Sequence, residues 1–595
     1  MKNTLKYILC ASIVFSFQFS VSAQQEDTYN ESVLVKGSFR PVIEQAEKQN
    51  FPAVITDTME RIDHSFQYSI SPSRLKALYE PARIKAARII GEPATKLYNN
   101  YLRLGMGNYW SPLADLYWSS TRDTKKTYGV RINHRSSWGS LPDYGKNHFG
   151  LTGVTLFGKY IVADKLQLSA DANYEHDHNL YYGFTDSTLQ AVLGKTRDDI
   201  SVSDYRAKYN VASLNLGVRS MNLDAYALGY AANLRLSDLW ASWGQNEFNL
   251  NLSGDVHYGF TPLRGLMGVA YLHAEWDGYA HSVSPNFAAE WPLGYSVPAV
   301  WDTVRGSRNI VKLNPYVDFI YEGLLFHAGF TAGWDAFTAS DSVTFRFFPD
   351  VVVSKNLMND ALVLSLGATG GFSANNWDVI RKVNPYVAPG VEQRATRHYD
   401  FTAHARWTIS KKLEANAEVS YSLLQDDLSF TLDNDYALNN VFRTAYVDNN
   451  RLTVGADIAF VNDEMLTLRA AGHYYHYTVT GDDSVLLYRP DWDFILSADV
   501  NYNDKWLFHL EGQLLGQMDG DLGETLPMRY GINAEVEYRH NRALSFFLKM
   551  DNLAFQRYNL WTNYPSQRGL FILGLTYTIP HKYLTPHHSS LITHH

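Results

Sequence analysis

From Met465 to Ile579 the chain alternates apolar and polar residues in unusually long runs. In DWDFILSADVNY, Trp492, Phe494, Leu496, Ala498, Val500 and Tyr502 fall on one face. Asp491, Asp493, Ser497, Asp499 and Asn501 fall on the other, with Ile495 the exception, because successive side chains of a strand leave opposite faces. MRYGINAEVEYRH repeats the pattern, setting Tyr530, Ile532, Ala534, Val536 and Tyr538 against Arg529, Asn533, Glu535, Glu537 and Arg539. A soluble sandwich alternates in the same way, so length decides. These runs span about 10 to 14 residues, whereas globular strands centre on roughly 5 or 6. A strand of about 9–11 residues tilted at about 45° crosses a bilayer. The pattern predicts an all-β fold, a transmembrane antiparallel β-barrel.

Turn parity gives its size. Short polar turns fall at 122–126, 163–165, 220–224, 261–265, 321–323, 354–360, 410–412, 462–464, 503–505 and 540–542. Longer segments alternate with them at 179–206, 277–308, 374–394, 426–449, 481–490, 518–526 and 554–567. With both chain ends on the short-turn side, the turns imply about 22 strands, an even number as single-chain bacterial barrels have. The weakest places are Trp110–Pro112 and Ser237–Gly244, where the outer connection would be very short, and 20 or 24 strands stay open. The register places Leu452, Val454, Ile458 and Phe460 toward lipid, and Arg451, Thr453 and Asp457 toward the lumen.

Composition agrees with an exported barrel. Met1–Ala23 reads as a secretory signal, with Lys2 and Lys6 ahead of an apolar core and Val21-Ser22-Ala23 as the cleavage site. The single cysteine, Cys10, lies inside that core, so the mature chain has no thiol for a disulfide. Aromatic residues make up 14% of the chain, with 40 tyrosines, and no later apolar run is long enough for a membrane helix. A net charge of −9 argues against a nucleic-acid partner. The expected partners are instead outer-membrane lipids, and the expected location is the cell outer membrane.

The expected domains are the signal at 1–23, an N-terminal plug-like or periplasmic segment at 24–97, the barrel at 98–579 and a flexible tail at 580–595. Segment 24–97 mixes a strand candidate, Val33–Phe39, with helix signals after Pro72 and Pro81. It carries Arg74, Lys76, Arg83, Lys85, Arg88 and Lys96 against Glu80 and Glu92. That patch reads either as a solvated periplasmic face or as a lumen-occluding surface. A barrel this wide needs a filler, and the expected lumen wall is acidic. It comprises Asp457, Arg469, Asp493, Asp499, Glu511, Arg529, Glu535, Glu537 and Arg539.

The C-terminal stretch LKMDNLAFQRYNLWTNYPSQRGLFILGLTYTI resembles the end of TonB-dependent receptors, through Asn552-Leu553, Tyr564-Pro565, Arg568-Gly569 and Gly574-Leu575-Thr576-Tyr577. Glu31–Pro41, ESVLVKGSFRP, is similar to the opening of the plug in such receptors. The resemblance implies a 22-strand barrel that takes up or exports a bulky solute, with an energy-coupling protein or a surface lipoprotein as envelope partner. Segment 24–97 is shorter than a receptor plug, and no TonB box is legible in Gln24–Asn30. A non-transporting accessory or assembly barrel that binds envelope proteins is the alternative, and an outer-membrane enzyme a third class.

Candidate chemistry is sparse. There is no G-x-S-x-G, no cofactor motif, and no enzyme or cofactor is expected. His176 and His178 share a face beside Glu175 and Asp177, so they read either as metal ligands or as rim histidines. His473 and His476, with Tyr474 and Tyr477, read as an aromatic girdle. Asp426, Asp427, Asp433 and Asp435 form an acidic stretch without the glycine a calcium loop needs, and read as solvated loop charge.

Overall fold

A computed structural model describes residues 100–578, apart from 121–122, 124, 222–227, 264–265, 284–305, 339–341, 435, 437, 463–464 and 482–485. The signal, segment 24–97 with its six basic residues, Tyr98 and the tail from Ile579 lie outside the described residues.

Twenty-two antiparallel strands form one closed sheet in which each strand pairs with its chain neighbours. The first, Asn100–Gly107, also pairs with the last, Leu570–Tyr577, from Leu102↔Tyr577 to Gly107↔Ile572. The alternation explains the closure. Large apolar side chains cover the outside, with Leu366 and Leu573 65% and 67% exposed, a surface that only lipid can cover. Within Phe442–Asn462, Val454 and Ile458 are exposed while Arg451 and Thr453 are buried.

The described strands end and restart at all ten places where the sequence puts a short turn. The positive φ of Ala163 and Asp164, and of Asn503 and Asp504, gives the tight two-residue geometry that matches strand twist. The two suspect outer connections are genuine: Tyr109 and Trp110 turn at positive φ between Asn100–Gly107 and Ser111–Ser119. Gly244 does so between Gly229–Ala241 and Gln245–Leu263.

The closing seam depends on glycine and one aromatic ring. A Cβ at Gly574 would collide with the Leu104 carbonyl oxygen and the Phe547 ring. Phe547 is 1% exposed, and the Arg103 guanidinium lies 3.8 Å over it.

Two expectations are corrected. Segment 426–449 is not mainly loop: Leu413–Leu432 and Phe442–Asn462 run on as paired strands through a bulge between Leu424 and Asp427, where Asp426 takes φ 53. The girdle holds for Tyr474 and His476, which are exposed. Register puts Tyr477 opposite Arg451 and His473 opposite Gly455 on the other face, where His473, Tyr475 and Tyr477 stack at 6.1 and 6.2 Å.

Strand heights are uneven, from 8 residues at the seam to 21 at Phe442–Asn462. One pairing also stops early. Ser342–Leu357 pairs with Leu362–Ser373 only as far as Val351↔Ala368. The next edge position belongs to Pro349, which has no N–H to donate.

Two outcomes test this register. Ile458→Arg should cost roughly 2–4 kcal/mol of barrel stability. Ala471→Arg, placed beside Asp457 on the inner face, should cost much less; equal denaturation midpoints in detergent–urea titrations would refute the register. Truncation after Arg568 should abolish liposome insertion because the first strand loses its partner, whereas truncation after Pro580 should not.

Candidate functional site

The long loops carry an excess of aromatic residues, and they pack together. Leu180, Tyr181, Tyr182, Phe184, Leu189 and Tyr205 join Trp377, Ile380, Tyr386 and Val387 in one buried cluster, with Tyr436, Leu438, Val441, Phe442, Tyr488, Trp561 and Tyr564. These residues come from connections that follow the fifth, thirteenth, fifteenth, seventeenth and twenty-first strands, so the cluster crosses the barrel mouth. At its centre Tyr386 and Tyr564 stack 3.5 Å apart at 13°. Tyr182 meets Tyr564 edge-on at 5.1 Å and donates to the Pro565 carbonyl at 2.9 Å. Tyr181 donates to the Val387 carbonyl at 2.8 Å, and Asn440 Nδ2 returns a bond to the Tyr181 carbonyl at 2.9 Å. The Tyr564 hydroxyl donates to the Asn440 carbonyl. Burial pushes the Tyr181 and Tyr182 phenols well above their usual range, so they remain neutral donors.

The cap is held by charge as well as by rings. A short helix, Trp377–Val383, starts at Asn376, whose side chain accepts from Val379 N at 3.0 Å. The fully buried Glu247 carboxylate of the wall accepts from Trp377 N at 2.6 Å, Asp378 N at 3.3 Å and Gln393 Nε2 at 3.2 Å. Arg381 lies 2.5 Å from Asp378 on its own helix, and 3.3 and 3.7 Å from Asp177 and Glu175 of strand Leu166–Leu180. Its guanidinium is 2% exposed and stands 5.0 Å over the Tyr209 ring. Burial alone would raise the Asp378 carboxyl; Arg381 and Lys382 override it and hold it at about 2. Burial likewise opposes the Arg381 charge, and Asp378, Asp177 and Glu175 together raise its pKa above the ordinary value.

Of the two readings of the Glu175–His178 cluster, the geometry thus gives the carboxylates to an arginine that sequence reasoning missed. His176 Nδ1 meets Asn210 Oδ1 at 2.8 Å, and the two imidazole centroids lie 6.1 Å apart. Among the described residues no group of three His, Cys, Asp or Glu side chains is arranged to hold a metal. The acidic stretch is corrected too, since it is paired and not simply solvated. Asp426 meets Arg397 at 2.6 Å and Arg394 at 3.2 Å, and Asp427 meets Arg489 at 3.3 Å. Asp433 is buried, and Asp435 lies outside the described residues.

Register carries the nine wall candidates to one face, opposite the exposed apolar one. Asp457 accepts from Asn416 at 2.7 Å, and Asp493 takes His473 at 3.0 Å and Tyr475 at 2.7 Å. Asp499 meets His509 at 2.7 Å, and Glu511 accepts from Gln513 at 2.6 Å and Asn533 at 3.1 Å. Glu535 pairs with Arg103 at 2.7 Å across the seam, and Glu537 accepts from Ser545 at 2.7 Å. Arg529 donates to the Leu560 carbonyl at 2.9 Å and so belongs to the cap more than to the open wall. Arg469 and Arg539 are exposed, opposite Ser497 and Ser545.

The wall also holds histidine–carboxylate pairs that sequence reasoning missed. His273 meets Asp255 at 2.7 Å, His398 meets Asp400 at 2.7 Å, and His327 lies between Asp318 at 2.7 Å and Asp350 at 3.0 Å. For His273 and His327 the signal is cross-strand, since the members share a face only once the register is known; His398 and Asp400 are two apart on one strand and share a face by alternation. A polar recess of about 380 Å³ opens between His404, Glu418, Asp457 and His473. The basic patch Arg74–Lys96 lies outside the described residues.

No family model matches the sequence, and no curated protein matches it. Solved structures do. The pyoverdine outer membrane receptor FpvA of Pseudomonas aeruginosa aligns with a TM-score of 0.60 at 10% identity, covering 82% of this chain and 79% of that one. The FrpB iron transporter of Neisseria meningitidis gives 0.59 at 9%, with 82% of each chain covered. The ferric-catecholate import receptor Fiu of E. coli K12 gives 0.58 at 10%, covering 82% and 83%. At such identity the likeness is one of architecture: this chain has the closed 22-strand fold of the TonB-dependent receptor barrels.

Proposed function

We propose that this chain is an outer-membrane receptor or transport barrel for a bulky solute, resting in a state whose outer mouth is shut by the loop cap. The observation that carries this reading is the cap itself, which crosses the mouth and is fastened to the wall through Arg381. A tyrosine-rich cover over a polar, ion-paired lumen suits a pathway that opens on demand, and the solved neighbours supply precedent, Fiu being a ferric-catecholate import receptor and FrpB an iron transporter. Segment Gln24–Leu97 is proposed as a second, periplasmic-side obstruction, its cations drawn to an acidic wall. Opening then needs a ligand outside and an envelope partner inside. The accessory-barrel reading draws its support from the edge above Val351↔Ala368, where no described strand pairs.

Conductance in planar bilayers tests the reading. Arg381→Ala leaves Asp378, Asp177 and Glu175 without their buried cation, a loss on the order of 3–5 kcal/mol, and should raise open probability sharply. Deleting 24–97 should raise conductance further and sensitise cells to bulky antibiotics. A combined variant that inserts yet stays silent would refute a transport role.

Acidification is a second handle. The Asp378 carboxyl titrates at about 2 in the folded cap against an ordinary 3.8, so its contribution is full above about 3.8 and is lost as pH falls through about 2. Opening should therefore increase between pH about 4 and 2, and Asp378→Asn should remove that dependence.

A further inference from the structure

The hairpin of Leu324–Phe337 and Ser342–Leu357 presents an edge that no described strand uses beyond Val351. Its two strands pair along their full length, from Leu324↔Lys355 to Phe337↔Ser342. On the other side, among the described residues, no strand pairs with Val343–Asp350. Leu362–Ser373 instead turns away above Ala368, and its Phe372 packs against the buried Phe348 and reaches the inner side of Gly333.

Three contacts fix which backbone groups face outward. Arg346 Nη1 donates to the Phe345 carbonyl at 2.9 Å, and the Tyr399 hydroxyl donates to the Phe347 carbonyl at 3.3 Å. Asn314 takes the carbonyl of Phe330, the residue opposite Pro349, at 3.3 Å. Bonding alternates along an antiparallel strand. Val343, Phe345 and Phe347 therefore direct their N–H and C=O groups to the free edge, and Pro349 shares their parity without breaking the hairpin. Their side chains add an apolar surface: Val343 is 71% and Phe347 59% exposed, beside Phe345, Phe330 and Trp334. Natural sheets protect such edges with charge, proline, short length or a bulge; here Pro349 closes the lower end and Arg346 is the one charge above it, while Val343, Phe345 and Phe347 leave the edge apolar between them.

We propose that Val343–Asp350 is a strand-addition site, occupied by an extended segment of a partner polypeptide at the long-loop rim. Recognition would come from backbone amides replacing the Arg346 and Tyr399 side chains, with alternate apolar residues lying along Val343, Phe345 and Phe347. Arg346 is the cation of this edge and favours an acidic residue in the incoming segment. A second copy of this chain would stand the same way up in the membrane, which limits how its own Val343–Asp350 can pair here, whereas a partner's extended segment is free of that limit.

A fluorescent synthetic peptide alternating valine and threonine, with one glutamate, tests this on the full-length protein in nanodiscs. Binding should weaken about tenfold when alternate amides of the peptide are N-methylated. It should be lost in Phe345→Pro, which removes a free-edge N–H while the barrel keeps its heat-modifiable migration. In cells, a photo-crosslinker at Val343 should give a polypeptide adduct that Phe345→Pro abolishes. Equal binding of the methylated peptide would reduce the edge to an apolar patch for lipid. No binding at all, or binding unchanged by Phe345→Pro, would overturn the site.

Discussion

A peptide group in lipid has no water to bond, and every spanning residue must find its partner within the protein. That constraint fixes the closed ring, the near-neutral alternation and the glycines of the seam. It also explains why the identity of side chains on either face is so free. The solved receptors share this architecture at about one residue in ten, because hydrogen-bonded closure asks only that apolar residues face out and polar residues face in.

Above the membrane the same chain meets ordinary rules. The loops can bury a tyrosine-rich core because water satisfies their remaining polar groups, and they use capped helices, stacked rings and a buried arginine as a soluble domain would. Charge is handled differently at the two levels. In the cap, Arg381 collects three carboxylates into one fastening, whereas on the wall the charges meet one or two cross-strand neighbours at a time, as at Arg103, His273 and His327. The first arrangement is brittle to a single substitution; the second is spread and tolerant.

Much of the barrel was legible because period-two alternation and turn chemistry are local. Asn503-Asp504 or Glu322-Gly323 announces a tight turn without reference to anything distant. The cap was not legible, since nothing within SANNWDVIRKVNPYVAPG says that Arg381 will reach Asp177, 204 residues earlier in the chain. Glu175 and Asp177 were noticed, yet their partner is not a neighbour in the chain. The extension of 413–462 beyond Asp426 was hidden by polar residues that look like a loop and are in fact a bulge with paired charges. Tyr477 was misplaced because an aromatic residue near a rim suits either face until its cross-strand partner is known.

The uneven height of the wall carries a consequence for how the ring comes apart. First and last strands share six aligned residue pairs, against eighteen between Leu413–Leu432 and Phe442–Asn462. Arg529–Arg539 and Leu544–Asp551 also align only six pairs, so cohesion along the circumference is lowest at and beside the place where the chain's two ends meet, like a zip with its fewest teeth near the clasp. Thermal excursions will begin there, and assembly will finish there, so the tall hairpins act as a rigid arc that waits for a small, late and reversible join.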